Sequence, residues 1–375
     1  MISLDLKKCN GCSACSNICP KKAIKMLPND EGFLYPCIDE EKCINCEMCL
    51  KVCPLKKDKP KEIYKTFYGW SVNDQIRDYS SSGGVFWVLE NHVIKHNGCV
   101  FGATYDYSDN VVKHIMVDNK DDLHKIMKSK YIQSTIGDTF IKVKEQLSLG
   151  RLVLFCGTPC QVNGLCSYLG KKYENLILVD FVCHGVPSPL VWKYHLNTIN
   201  KAGGKIECVD FRDKTKGAVK YSVKIHGNST NYLRWHHKDL FFKLFLDDVI
   251  LRKSCYDCSA KGKNRCSDIT ISDFWGAEKY GISNEECKKG ISLFAVYNDK
   301  IIKILEDESN FFLKEIGNEI MINKSSYATS ANMNEKRILF FRDLTQTNYK
   351  KRGKSSTRFY LSKKIISKLR RIIKK

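Results

Sequence analysis

Apolar positions along this chain switch repeatedly between a period of two and a period near 3.6, which predicts an α/β core. Thr66–Val72 alternates as a strand does. Ser80-Ser81-Ser82-Gly83-Gly84 then opens an apolar helix running to about His96. Gly98–Tyr105 and Val111–Val117 read as strands, Lys120–Met127 and Gly137–Leu149 as helices. Two short apolar runs, Arg151–Phe155 and Leu176–Val182, read as buried strands. A helix is expected from Gln161 and another from about Pro187. Strands follow around Ile206–Phe211 and Tyr221–His226. Such alternation predicts a mixed sheet with helices on its faces.

Residues 1–57 do not follow this rhythm. Their pattern is set by cysteine. Cys9, Cys12, Cys15 and Cys19 precede Pro20, and Cys43, Cys46, Cys49 and Cys53 precede Pro54. Each set reads C-x2-C-x2-C-x3-C-P, the bacterial ferredoxin run that holds a [4Fe–4S] cluster. Matching cysteines lie 34 residues apart, as a duplicated module requires. In two-cluster ferredoxins the fourth cysteine of each run ligates the other cluster. The expected sets are therefore Cys9, Cys12, Cys15 and Cys53, and Cys43, Cys46, Cys49 and Cys19. Gly11 is expected to leave room for the cube. Cys37, outside both runs, is expected to be a spare buried thiol. The competing reading is zinc or scattered structural thiols, and two complete runs weigh against it.

A second group of cysteines is less regular. Cys160 and Cys183 each follow the predicted C-terminal end of a buried strand, the edge where ligands gather in open α/β sheets. Cys255 and Cys258 form a lone C-x2-C, with Cys266 farther on. From pattern alone two readings stand: a third [4Fe–4S] cluster, or core cysteines beside a small zinc knuckle. Asp268 and Asp273, on a predicted strand, are expected to organise the loop around the C-x2-C pair. Trp275 is expected in the core, with packing against a cofactor as the alternative. His184, next to Cys183, is a candidate proton donor.

Ser82-Gly83-Gly84, Ser129–Ser134 (SKYIQS), Gly157–Gln161 (GTPCQ), Cys183–Ser188 (CHGVPS) and the Cys255–Gly276 block occur in one order. Together they resemble the coenzyme F420 hydrogenase/dehydrogenase β-subunit family over roughly residues 65–330, with a fused two-cluster module ahead. The resemblance implies FAD as the hydride-handling centre with a [4Fe–4S] cluster beside it. It places that cluster on Cys160, Cys183, Cys255 and Cys258, with Cys266 as the substitute ligand and Cys156 left out. It points to FAD contacts at Ser82, Gly83, Gly84, Lys130, Tyr131, Gln133, Ser134, Thr158 and Gln161. The implied function is an iron–sulfur flavoprotein oxidoreductase. It would move electrons between a low-potential carrier, reduced ferredoxin or F420H2, and FAD, and reduce an organic substrate. The alternative is a non-catalytic electron-transfer subunit serving a partner enzyme, linked to cell-surface polysaccharide synthesis in bacterial relatives. No G-x-G-x-x-G follows a strand, so a Rossmann nicotinamide site has no support.

Composition sharpens the setting. Nineteen cysteines among 375 residues, with no apolar leader and C-x2-C spacing, point to metal in a reducing, cytoplasmic compartment. The net charge of +21 is lopsided, because residues 350–375 carry twelve Lys or Arg and no acid. Arg358–Lys375 places its aliphatic residues on one face at helical spacing, a basic amphipathic helix. It suits the inner face of a membrane or an acidic partner. Charge alone would allow nucleic acid, but no binding motif supports it, and none is expected. The expected organisation is a two-cluster ferredoxin-like domain at 1–57, a mixed-sheet flavin-binding α/β core in two parts at 65–185 and 186–330, and a basic tail at 350–375. The fold class is mixed α/β, or α+β where the small domain is counted.

Overall fold

Nine strands drawn from nearly the whole length of the chain build the sheet that positions the site. The computed structural model describes residues 6–56 and 61–357. In chain order the strands are β1 (Ile24–Pro28), β2 (Leu34–Ile38), β3 (Lys65–Ser71), β4 (Cys99–Asp106), β5 (Val111–Val117), β6 (Ser134–Thr135) and β7 (Val153–Cys156). They continue with β8 (Leu176–Phe181), β9 (Ile206–Asp213), β10 (Ser222–Gly227), β11 (Thr230–Trp235), β12 (Ile269–Asp273), β13 (Ser292–Val296) and β14 (Phe311–Ile316). The large sheet has the order β14-β3-β13-β12-β8-β7-β4-β5-β6. Its centre, β4, β7, β8 and β12, is parallel, and antiparallel pairs flank it. The fold is thus mixed α/β, with a separate antiparallel sheet β11-β10-β9 and a small hairpin β1-β2.

Alternation inside the strands supplies both faces. Val153 and Phe155 of β7 pack with Phe140, Val143, Val162 and Leu165 of helices Thr139–Ser148 and Pro159–Leu169. Leu154, between them, joins Val88, Leu89, Ile301 and Leu305 of helices Val85–Lys95 and Asp299–Glu306 on the other face. Both faces of β7 are therefore buried, which explains its unbroken apolar run. A third core under β9–β11 gathers Trp192, Phe211, Val223, Phe241 and Phe242.

Two local expectations change. Lys120–Met127 holds only one 3-10 turn, Leu123–Lys125, because the Asn119 side chain accepts from Asp122 N at 3.0 Å and draws the chain into a turn instead. A helix not foreseen, Asp74–Tyr79, precedes the Ser-Gly run; Asn73 caps it by accepting from Gln75 N at 2.9 Å. The basic tail lies outside the described residues from 358 onward; 349–357 is helical. Among the described residues no helix is long and apolar enough to cross a membrane.

The hairpin module is docked on the core by its own residues. Cys12, Ala14 and Val52 share a core with Phe140, Val162 and Leu165. Asn17 Nδ2 donates to Gly137 O at 2.8 Å. Arg337 makes a two-pronged ion pair with Glu31, and Ser188 donates to the Glu31 carbonyl. The duplication survives in the backbone. Gly11 and Ser13 have φ of 71° and 65°, and their repeat partners Asn45 and Glu47 have 52° and 59°. The left-handed positions recur because each loop must turn its cysteines toward one side.

Candidate functional site

Parallel pairing puts two distant cysteines on one edge. β7 and β8 are neighbours, so the residues after them leave the sheet side by side. Cys160 sits in the first turn of helix Pro159–Leu169, and Cys183 lies just beyond β8. The 3-10 turn Lys253–Asp257 brings Cys255, and Cys258 ends it. All four thiols line one recess of about 530 Å³, open mouth included. Val186 N donates to Cys255 Sγ at 3.4 Å, and Thr158 Oγ1 lies 3.1 Å from Cys160 Sγ. Lys8, Arg252, Lys261 and Arg265 line the same recess. Burial, with Cys258 nearby, pushes the Cys160 thiol up to about 12, and burial pushes Cys183 up to about 11. Metal bound here would displace protons, because the thiolate is the ligand form.

The donor set and charge suit a thiolate-bound iron–sulfur group. The recess carries four cationic side chains, and Nη2 of the buried Arg265 has no partner. That is an arrangement an added negative charge would complete. Among the described residues no three His, Cys, Asp or Glu close on the point a single ion would occupy. A cube takes each thiolate at a separate iron, so its ligands stand farther apart. Cys266, the substitute ligand, is not in the recess. It faces Cys166, and its N–H donates to Asn163 Oδ1 at 3.0 Å.

In the N-terminal module the thiols of the two runs lie side by side. Cys19, Cys43, Cys46 and Cys49 line one recess of about 350 Å³ together with Ile24, Ile38 and Met48. Burial raises Cys15 to about 12, with Cys9 and Cys53 the thiols that add most to it. Burial likewise raises Cys49, with Cys46 and Cys19 contributing. Cys19 thus stands among the cysteines of the second run, and Cys53 stands near Cys15 of the first. Cys37, expected to be buried, is exposed on β2. Gly11, at φ 71°, is also closely packed on its open side. A Cβ there would meet Gln133 Nε2 at 2.8 Å and Arg252 Nη1 and Leu34 O at 3.0 Å.

The first N-terminal set and the recess are built against each other. Gly164, one turn after Cys160 on the same helix, is where Cys12 packs; a Cβ would meet Cys12 Cβ at 2.8 Å and Sγ at 2.9 Å. Arg252 donates through Nε to Cys9 O at 2.9 Å and through Nη1 to Leu34 O at 3.0 Å. Its guanidinium stacks 3.9 Å from the Tyr35 ring centre.

The loops assigned to FAD converge, though several of their side chains are spent on each other. Ser129 N donates to Ser81 Oγ at 2.8 Å, joining the Ser-Gly loop to the SKYIQS loop. Ser82 Oγ donates to Ile291 O, and Gly83 N donates to Ser292 Oγ at 3.0 Å. Gly84, at φ 95°, starts helix Val85–Lys95 without a side-chain cap. Lys130 Nζ donates to Met127 O, and burial lowers its ammonium to about 7. Gln133 Oε1 accepts from Leu34 N at 2.9 Å, which commits it to the N-terminal hairpin. Thr158 and Gln161 form a capping box, and Gln161 Nε2 donates to Ser134 Oγ at 2.9 Å. His184 Nε2 stands 2.7 Å from Asp248 Oδ1 at the rim of the recess, out of hydrogen-bond alignment.

Arg212, which no motif announces, ties these loops together. It grips Asp273 through both Nη atoms, at 2.8 and 3.0 Å, and donates to Tyr131 Oη and Ser81 O, both at 3.2 Å. Asp273 therefore organises the proposed flavin loops rather than the C-x2-C turn. Asp268 accepts from Leu178 N at 2.9 Å and Asn298 Nδ2 at 2.7 Å, fastening β8 to the chain after β13. Trp275, expected in the core, is 46% exposed, with the Arg212 guanidinium 5.4 Å from its ring centre. Arg212 and Arg252 sit in runs with no periodic or spacing signal, and only a buried arginine surrounded by partners identifies them.

Comparisons with known proteins match two stretches of the chain. Residues 8–57 match the 4Fe–4S dicluster domain. Residues 150–315 match the C terminus of the coenzyme F420 hydrogenase/dehydrogenase β subunit. No curated protein matches the chain. Among solved structures, a chain of the xenon-derivatised F420-reducing [NiFe] hydrogenase complex from Methanosarcina barkeri is similar at a TM-score of 0.47 and 13% identity, covering 83% of this chain and 96% of that one. Residues 150–315 are thus similar to the C-terminal region of the coenzyme F420 hydrogenase/dehydrogenase β subunit, and ahead of them residues 8–57 are similar to a 4Fe–4S dicluster domain.

Proposed function

We propose that the chain is an iron–sulfur flavoprotein oxidoreductase that carries electrons between a low-potential carrier and FAD and reduces an organic substrate. Two [4Fe–4S] clusters would be held by Cys9, Cys12, Cys15 and Cys53, and by Cys19, Cys43, Cys46 and Cys49. A third would be held by Cys160, Cys183, Cys255 and Cys258. FAD would lie along residues 80–84 and 129–131. A flavin exchanges electrons singly or in pairs, so it would join the one-electron relay of the iron–sulfur groups to the two-electron chemistry of F420H2 or an organic substrate. One observation carries this reading: four cysteines from three separate stretches of the chain line a cation-rich recess built directly against the first ferredoxin loop. Within it, Val186 N and Thr158 Oγ1 are the groups that would temper charge on two of the sulfurs. Support for the flavin comes from the Ser81–Ser129 and Arg212 contacts that hold its two loops together.

Anaerobic purification with iron, acid-labile sulfide and flavin analysis tests the reading. The expected content is three cubes and one FAD per chain, with flavin bleached by reduced ferredoxin or F420H2. Protein that stays free of iron and flavin after reconstitution defeats it. Flavin that is bleached without turnover on any added substrate would favour the electron-transfer-subunit role. Cys160→Ser should remove roughly a third of the iron, one cube of three, and leave both N-terminal signals in the electron paramagnetic resonance (EPR) spectrum. Unchanged iron in that variant would remove Cys160 from the ligand set.

A further inference from the structure

Arg252 occupies a place that none of the cysteine motifs accounts for. It is 1% exposed, follows the bridge strand residue Leu251, and its own N–H donates to Val186 O at 2.9 Å beside the Cys183 loop. On one side its guanidinium meets the first ferredoxin loop: Nε on Cys9 O, Nη1 on Leu34 O, and Nη2 3.8 Å from Cys9 Sγ. On the other side it lines the recess that holds Cys160, and its charge acts on that thiol. Phe33 and Tyr35 of the hairpin wall it in, with ring centres 5.7 and 3.9 Å from the guanidinium carbon.

Two other cations of the recess make contacts that do not reach the Cys9 loop. Arg265 is paired with Asp180, Lys261 with the carbonyls of Cys183 and Ser326. Arg252 spends its hydrogen bonds on two carbonyl oxygens and a sulfur rather than on a carboxylate. A buried guanidinium keeps its charge at any pH a protein tolerates, and in a low-dielectric setting that charge is felt strongly over a few ångströms.

We propose that Arg252 is the positioning cation that sets the reduction potentials of the two iron–sulfur sites it lies between, the Cys9 set and the Cys160 set. The inference rests on the proposed cluster assignment. Each reduction adds one electron to a site and makes or breaks no bond, so its only charge change is one more negative unit. A fixed positive neighbour favours that change at both sites. It thereby raises the two potentials together. Its fork also fixes Cys9 and the Cys160 recess in one geometry. The remaining N-terminal set, Cys19 with Cys43, Cys46 and Cys49, has no contact with Arg252 among those described and serves as an internal reference.

The test uses the full chain, purified without oxygen and loaded, in three forms: wild type, Arg252→Gln and Arg252→Lys. Iron and sulfide are measured first. Potentiometric titration with dithionite, followed by EPR, then resolves the midpoint of each site. For Arg252→Gln two of the three midpoints should fall, each by about a tenfold change in the reduction equilibrium, or about 59 mV for one electron. Arg252→Lys keeps a charge on a stem that cannot reach both carbonyls, so the same two midpoints should fall by a smaller amount. Should the glutamine variant load no iron, the lysine variant decides alone. A loaded variant with all three midpoints at their wild-type values overturns the role of Arg252. Wild-type protein that holds no iron and sulfide overturns the cluster assignment instead.

Discussion

Gly164→Leu is expected to disconnect the N-terminal module from the rest of the protein. The helix Pro159–Leu169 presents Gly164 to the ferredoxin loop, and even a Cβ there would stand 2.8 Å from Cys12 Cβ and 2.9 Å from Cys12 Sγ. Neither neighbour is a flexible chain end. Cys12 is buried, and its loop is held by Arg252 through Cys9 and by Asn17 through Gly137. A leucine must therefore push the loop off the helix or distort the helix that also carries Cys160. Overpacking of this kind costs about 1–3 kcal/mol. The functional cost is larger, because Cys12 is a proposed ligand. We expect a drop of roughly 10- to 100-fold in the rate at which dithionite-reduced N-terminal sites pass electrons onward, in the range seen when groups supporting a metal ligand are removed. Stopped-flow reduction of the flavin reads this directly. Gly164→Ala should move in the same direction to a smaller degree. A leucine variant with normal iron and normal flavin reduction would show that the loop can dock elsewhere, and would remove the route through this helix.

The second large effect is on stability. Asp180 on β8 and Arg265 have fully buried side chains, 3.0 Å apart. Thr270 also donates to Asp180, Arg265 Nε donates to Gly262 O at 3.0 Å, and the Arg265 guanidinium lies 4.6 Å from the Tyr327 ring centre. Asp180→Ala strands a buried guanidinium, and breaking one half of such a pair costs about 3–5 kcal/mol. Against a total of about 5–15 kcal/mol this is a large share. Because Arg265 also lines the Cys160 recess, the variant should load less iron at that site. The double variant Asp180→Leu/Arg265→Leu removes both charges and should recover much of the lost stability, since a well-packed apolar pair can match a buried ion pair. Thermal unfolding of the three proteins followed by circular dichroism decides the matter. An alanine variant within about 1 kcal/mol of wild type would mean that water or a local shift satisfies Arg265.

Some of the site is readable without coordinates because its chemistry is local. The two cysteine runs repeat with one spacing, and the crossed sharing of Cys19 and Cys53 follows from a property of such runs. The apolar runs Arg151–Phe155 and Leu176–Val182 read as buried strands, and parallel strands end on the same edge. Other parts leave no local trace. Gln133 looks like a polar loop residue, yet its carbonyl holds Leu34, 99 positions away. The exposure of Trp275 and Cys37 depends on which surfaces pack over them, and side-chain type alone misjudges both. Lys120–Met127 has helix-forming residues, but the Asn119 side chain offers the backbone a better local bond.

What the sequence determined by itself is the inventory: two thiolate runs, an α/β rhythm, and four further cysteines at strand ends and in one short turn. What only the tertiary structure decided is adjacency. It put Gly164 under Cys12 and Arg252 between Cys9 and the Cys160 recess. The reason is physical. Spacing governs groups within a turn or two of one another, whereas a buried arginine or a glycine contact is defined by a partner that the chain reaches only after the sheet has closed.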